Sequence, residues 1–103
     1  MTTNTNDQLT AQTILDQLGG NSFSIMTGSK MFMSIDNGLQ FSIGRNSLKC
    51  NKVRITLNLN DLYDVSYYST RGASVKVKRE VTDIYAETLR QEIETATGLR
   101  TSL

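Results

Sequence analysis

Between Leu39 and Tyr67 an apolar side chain returns at every second position: Leu39, Phe41 and Ile43, then Val53, Ile55 and Leu57, then Tyr63, Val65 and Tyr67. Successive side chains of a strand point to opposite faces, so each run predicts a half-buried strand with one apolar side. The chain has no proline, and so none of these strands is confined to a sheet edge on that account. Polar turns separate the runs: Asn58-Leu59-Asn60-Asp61 before Tyr63, and Thr70-Arg71-Gly72 after it. Connections this short join antiparallel neighbours.

The pattern extends to both sides. Phe23 and Ile25 alternate with Ser22 and Ser24, Thr27-Gly28-Ser29-Lys30 reads as a turn, and Met31, Met33 and Ile35 share the next face. Asp36-Asn37-Gly38 follows, and Asn-Gly between alternating segments signals a type I′ hairpin. After the third turn, Ala73, Val75 and Val77 alternate with Ser74, Lys76 and Lys78.

At the two ends the period is helical. Thr10 is placed to cap a first helix, with Leu9 and Ile14 as a hydrophobic staple and Ile14, Leu15 and Leu18 as its apolar stripe, ended by Gly19-Gly20. Thr82 is placed to cap a last helix whose stripe is Ile84, Tyr85, Leu89, Ile93 and Ala96, with Gly98 as its stop. The expected fold is α+β: an antiparallel β-meander of five or six strands with an N-terminal and a C-terminal helix packed on one face. Residues 1–8 read as a flexible N-terminus and residues 9–103 as a single α+β domain.

Composition excludes much chemistry. Without a histidine, no Ser-His or Cys-His nucleophile pair can be assembled, and one cysteine cannot form an internal disulfide or a zinc site. No apolar run approaches the ~20 residues needed to cross a bilayer. The first residues lack the basic and apolar regions of a secretory signal, and a lone Cys50 suits a reducing cytoplasm. The segment Met26-Thr27-Gly28-Ser29-Lys30 is not a phosphate-binding loop, because the first glycine is missing, serine precedes lysine, and a strand follows. The reading is a non-enzyme with no cofactor and no metal.

Charge is the remaining lead. From Asn37 to Arg79 there are eight Lys/Arg against two acids, whereas both flanks are net acidic. If the helices cover the Val53/Ile55/Leu57 face, the opposite face carries Lys52, Arg54, Lys76 and Lys78, with Gln40, Ser42, Thr56, Ser66 and Tyr68. Arg71 stands at the turn, and Arg45 and Lys49 lie in a basic connection between Gly44 and Asn51. These eight residues, Arg45, Lys49, Lys52, Arg54, Tyr68, Arg71, Lys76 and Lys78, are the candidate binding residues. A cationic sheet with an aromatic can hold phosphates and stack bases. Outward lysines also serve merely to keep a sheet soluble and its edges unpaired. Met26, Met31 and Met33 read mainly as core filling, though adaptable methionines also suit protein partners.

Leu62-Tyr63-Asp64-Val65, Arg71-Gly72 and Glu94-Thr95-Ala96-Thr97-Gly98-Leu99 resemble a family of small proteins from phages and prophages. Leu18-Gly19-Gly20, Met26-Thr27-Gly28 and Val53-Arg54-Ile55-Thr56-Leu57 extend the likeness. The resemblance implies a setting in the cytoplasm of a bacterial host and assigns no site residue. The expectation is a non-enzymatic interaction protein that binds a host or phage protein, with inhibition of a bacterial defence system (as anti-CRISPR proteins do) its most specific form. The alternative is a single-stranded nucleic-acid-binding accessory protein. A homodimer through the exposed edge strands is a further expectation, and no membrane partner is expected.

Overall fold

Five strands, β1 (Lys30–Ile35), β2 (Gly38–Ser42), β3 (Lys52–Leu57), β4 (Tyr63–Arg71) and β5 (Ser74–Ile84), lie in sequence order across one antiparallel sheet. A computed structural model of the chain describes residues 5–101, with side chains from residue 9 onward. The helices α1 (Thr5–Leu18), α2 (Asn21–Thr27) and α3 (Ala86–Thr97) lie on one face, α1 against β1 and β2, and α3 against α1 and β5. The fold is the expected α+β meander. No helix among the described residues is long and apolar enough to cross a membrane.

The core is the inward half of the alternation. Leu39, Phe41, Val53, Ile55, Tyr63, Val65 and Tyr67 are buried beneath Ile14, Leu18, Phe23, Leu89 and Ile93 of the helices. Phe41 is the hub: Phe23 meets its ring edge-on at 5.6 Å and Phe32 lies against it at 5.2 Å. Gly38 is needed where β2 passes β3, since a Cβ there would sit 2.1 Å from the Ile55 carbonyl oxygen. Gly38 pairs with Ile35, so the turn centres on Asp36-Asn37 with positive φ at Asn37, one residue earlier than the Asn-Gly pattern predicts.

Four expectations are corrected. The first helix begins at Thr5, so Thr10 is inside it and not at its cap, and Leu9 is exposed instead of stapled. Of the residues expected to form a flexible N-terminus, residues 1–4 lie outside the described residues. The Phe23/Ile25 segment is the helix α2, not a strand: Phe23 and Thr27, four apart, are buried while Ile25 is exposed. Two alternating apolar residues are too few to separate period two from period 3.6.

Met31, Met33 and Ile35 do lie on one side, but it is the side away from the helices. Phe32 takes the core position, and an irregularity between Lys30 and Met33, with Met31 at φ 58°, turns both thioethers outward. Finally, Thr82 caps nothing. β5 continues to Ile84, which pairs with Tyr63, and α3 starts at Ala86 behind an extended, exposed Tyr85 whose carbonyl accepts from Thr88. The far end of α3 is as expected, with Gly98 left-handed at φ 77° and its N–H on the Glu94 carbonyl.

Candidate binding surface

The sheet face opposite the helices is open, and its rows follow from the pairing register. One row runs Met33, Gln40, Arg54, Ser66, Glu80 across β1 to β5. The next runs Ser42, Lys52, Tyr68, Val77, with Met31 Sδ alongside Ser42. A last pair, Thr70 and Val75, closes the end.

Arg54 is the most organised side chain of this face. Its Nε and Nη2 both donate to Gln40 Oε1, at 3.2 and 2.8 Å, and its guanidinium carbon lies 5.5 Å from the centre of the Tyr68 ring. A cation held over an aromatic and bonded to a neighbouring amide in this way has lost much of its rotamer freedom before any partner arrives. Lys52 Nζ donates to Ser42 Oγ at 3.3 Å. Gln40, Lys52, Arg54, Tyr68, Thr70 and Val75 together line a shallow depression of about 290 Å³.

Lys76 is not on this face, and Lys78 falls at a bulge. Tyr67 pairs with Arg79 but Tyr68 with Val77, so Lys78 is an extra residue on β5 and the alternation changes phase there. Val75 and Val77 consequently face outward with Tyr68, at 65% and 51% exposure, beside Met31 and Met33 at 68% and 54%. Lys76, opposite Ser69, lies on the helix side of the sheet, as Arg79 does, whose Nε grips Glu92 of α3 at 3.0 Å. The open face therefore carries Met31, Met33, Val75 and Val77 at its margins, with Glu80 ending one row on β5 and two cations between, instead of the continuous cationic panel that the alternation predicts.

Arg45 and Lys49 are elsewhere too. Their loop folds back on the C-terminal end of α3, where Ser47 donates through both its N–H and its hydroxyl to the Thr97 carbonyl. Asn46 fixes the loop from within, donating to the carbonyls of Gly44 and Cys50 and accepting from the Cys50 N–H. Cys50 is buried below it. Burial pushes its thiol pKa up, against the pull of the Asn46 hydrogen bond and of the nearby Lys78 ammonium. Arg71 is exposed at the end of β4, opposite Ser74.

Asp64 accepts from Asn58 and from the Asp83 N–H, and Glu80 is exposed opposite Ser66. Neither lines the depression at Arg54. Among the described residues no group of three or more His, Cys, Asp or Glu is placed to hold a metal. Both sheet edges are irregular, β1 once and β5 twice, and an edge-to-edge dimer would have to pair strands broken in this way. Sequence reasoning missed Met31, Met33, Val75 and Val77 as surface residues; the signal for the first pair was Phe32, the larger ring competing for the same stretch of core. Comparison with protein-family models, with curated proteins and with solved structures yields no match.

Proposed function

We propose that the chain is a non-catalytic interaction protein whose open sheet face docks on an acidic protein surface. The single observation that supports this is the grouping of Met31, Met33, Val75 and Val77, all exposed, around Arg54 and Tyr68. Methionine, tyrosine and arginine are the side chains enriched in the buried centres of protein interfaces, and lysine is depleted there. The apolar residues supply desolvation, and Lys52 and Arg54 supply a positive charge that an acidic partner complements. Arg54 is already held by Gln40 and Tyr68, which lowers the ordering cost of binding.

The phage resemblance gives this docking a setting, a host or phage protein in a bacterial cytoplasm, with a component of a defence system as the most specific target. Single-strand binding on the same face is weaker on physical grounds. With Lys76 on the other side and Lys78 at the bulge, two cations and one aromatic are paired into the rows of this face, and the aromatic already carries Arg54.

The test is a pull-down from bacterial lysate, with and without nuclease, using the full chain and its Tyr68→Ala and Val77→Asp variants. A protein retained after nuclease treatment and released by either variant supports the reading, with an affinity loss of tenfold or more for Tyr68→Ala, as interface centres give. Capture that disappears with nuclease, or that neither variant weakens, overturns it.

A further inference from the structure

The β4–β5 hairpin outruns the sheet. β3 stops at Lys52, opposite Tyr68; beyond it Ser69–Arg71 and Ser74–Lys76 pair only with each other, steadied by Asn51, whose side chain donates to the Thr70 carbonyl and accepts from its N–H. Every residue from Arg71 to Glu80 is exposed. The arm has two unlike sides. Thr70, Val75 and Val77 continue the open face, while Arg71 and Lys76 lie on the other, next to Lys78 at the phase change. No acidic residue occurs from Val65 to Arg79. Of the four cations in that stretch, Arg79 has an acidic partner among the described residues and the other three have none.

We infer that the cationic side of this arm, through Arg71, Lys76 and Lys78, is a contact for the phosphates of duplex DNA. A two-stranded β-ribbon is narrow enough to enter a B-form major groove, about 12 Å wide, and lysines and arginines along one side then meet the groove wall. Duplex is favoured over a single strand because this side carries no aromatic on which bases would stack; Tyr68 is on the other. It is favoured over double-stranded RNA because the A-form major groove is too narrow for side chains to enter. The inference goes beyond the docking reading and uses the opposite side of the hairpin, so either can fail alone.

The experiment is anisotropy of a labelled mixed-sequence duplex of about 20 base pairs, titrated with the full chain. Three neutralised phosphates at a slope of about −0.9 each predict an affinity about 40-fold weaker at 200 mM than at 50 mM salt. The double variant Lys76→Glu with Lys78→Glu, on exposed positions, is expected to lose tenfold or more. Lys30→Glu, exposed at the far edge of the sheet, is expected to stay within about twofold, which separates a local contact from general charge. Circular dichroism of each variant verifies the fold. Absence of binding at 50 mM salt, equal losses at Lys30 and at the arm, or tighter binding of the single strand would each overturn the inference. So would binding of polyglutamate but not DNA, which would reassign the arm to an acidic protein.

Discussion

The Tyr67 hydroxyl donates to Glu92 Oε2 at 3.1 Å, and the same carboxylate is held by Arg79, so the middle of β4 is tied to α3 through one acid. Tyr67 is fully buried and needs this acceptor, because an unpaired buried hydroxyl costs about 1–3 kcal/mol. Glu92→Ala is therefore expected to destabilise the protein by about that amount in urea unfolding. Tyr67→Phe is expected to cost less, about 1 kcal/mol, since no polar atom is stranded. Their combination should fall short of the sum. Additive losses would show that the two side chains act separately. Arg79 is half-exposed, and Arg79→Ala alone should cost less than about 1 kcal/mol.

Alkaline pH should unfold this chain through the same tyrosine. Burial and then the neighbouring Glu92 charge raise the Tyr67 pKa far above its ordinary value near 10, so the folded state holds this proton more tightly than the unfolded one. Its contribution is complete below that value and is lost as pH rises past it. Cys50, raised by burial from about 9, acts in the same direction and starts slightly earlier. The urea midpoint is expected to be flat from about pH 7 to pH 9 and to fall above that. Tyr67→Phe should flatten the upper part of the fall; an unchanged slope would remove Tyr67 from the explanation.

Gly38→Ala should be among the most damaging small substitutions. The new methyl would meet the Ile55 carbonyl at 2.1 Å, and backbone on both strands would have to move, at about 3 kcal/mol or more. Gly72→Ala is the comparison. It has open space around it and a φ of 59°, so only the left-handed strain of about 1–2 kcal/mol applies. Thermal unfolding of both variants measures the difference, and equal shifts would contradict the contact at β3.

Cys50 is expected to be inert in the native protein. The thiol is buried beneath the Asn46-pinned loop and its pKa is raised, so little thiolate is present or reachable at neutral pH. A thiol reagent such as Ellman's should react at once in denaturant and slowly, at the rate of opening, in its absence. Asn46→Ala is expected to speed the native reaction by releasing the loop. A fast native reaction in the unaltered chain would show the loop to be open.

The middle of the sheet was legible because three runs of alternating residues each span five residues or more, and each buries the face expected. β2, β3 and β4 therefore place Gln40, Lys52, Arg54 and Tyr68 where the alternation puts them. The edges were not legible. Phe32 out-competes two methionines for the core, and a bulge at Lys78 reverses the sides of the outer part of the β4–β5 hairpin. Helix starts failed for a related reason: neither Thr10 nor Thr82 reaches a helix end, because Thr5 begins α1 and Ile84 still belongs to the sheet. At Thr82, strand pairing and not capping propensity decided the outcome.

The phase change at Lys78 has an origin in the loop beyond it. The short turn at Gly72-Ala73 sets Arg71 against Ser74, whereas the body of the hairpin sets Tyr67 against Arg79, and these two alignments differ by one residue. Lys78 absorbs the mismatch. A single-codon insertion in that turn would let one alignment run the whole length, rotating the valines toward the helices and the lysines to the far side. The chemistry of both surfaces is thereby written in the length of one connection, and a small genetic event suffices to exchange them.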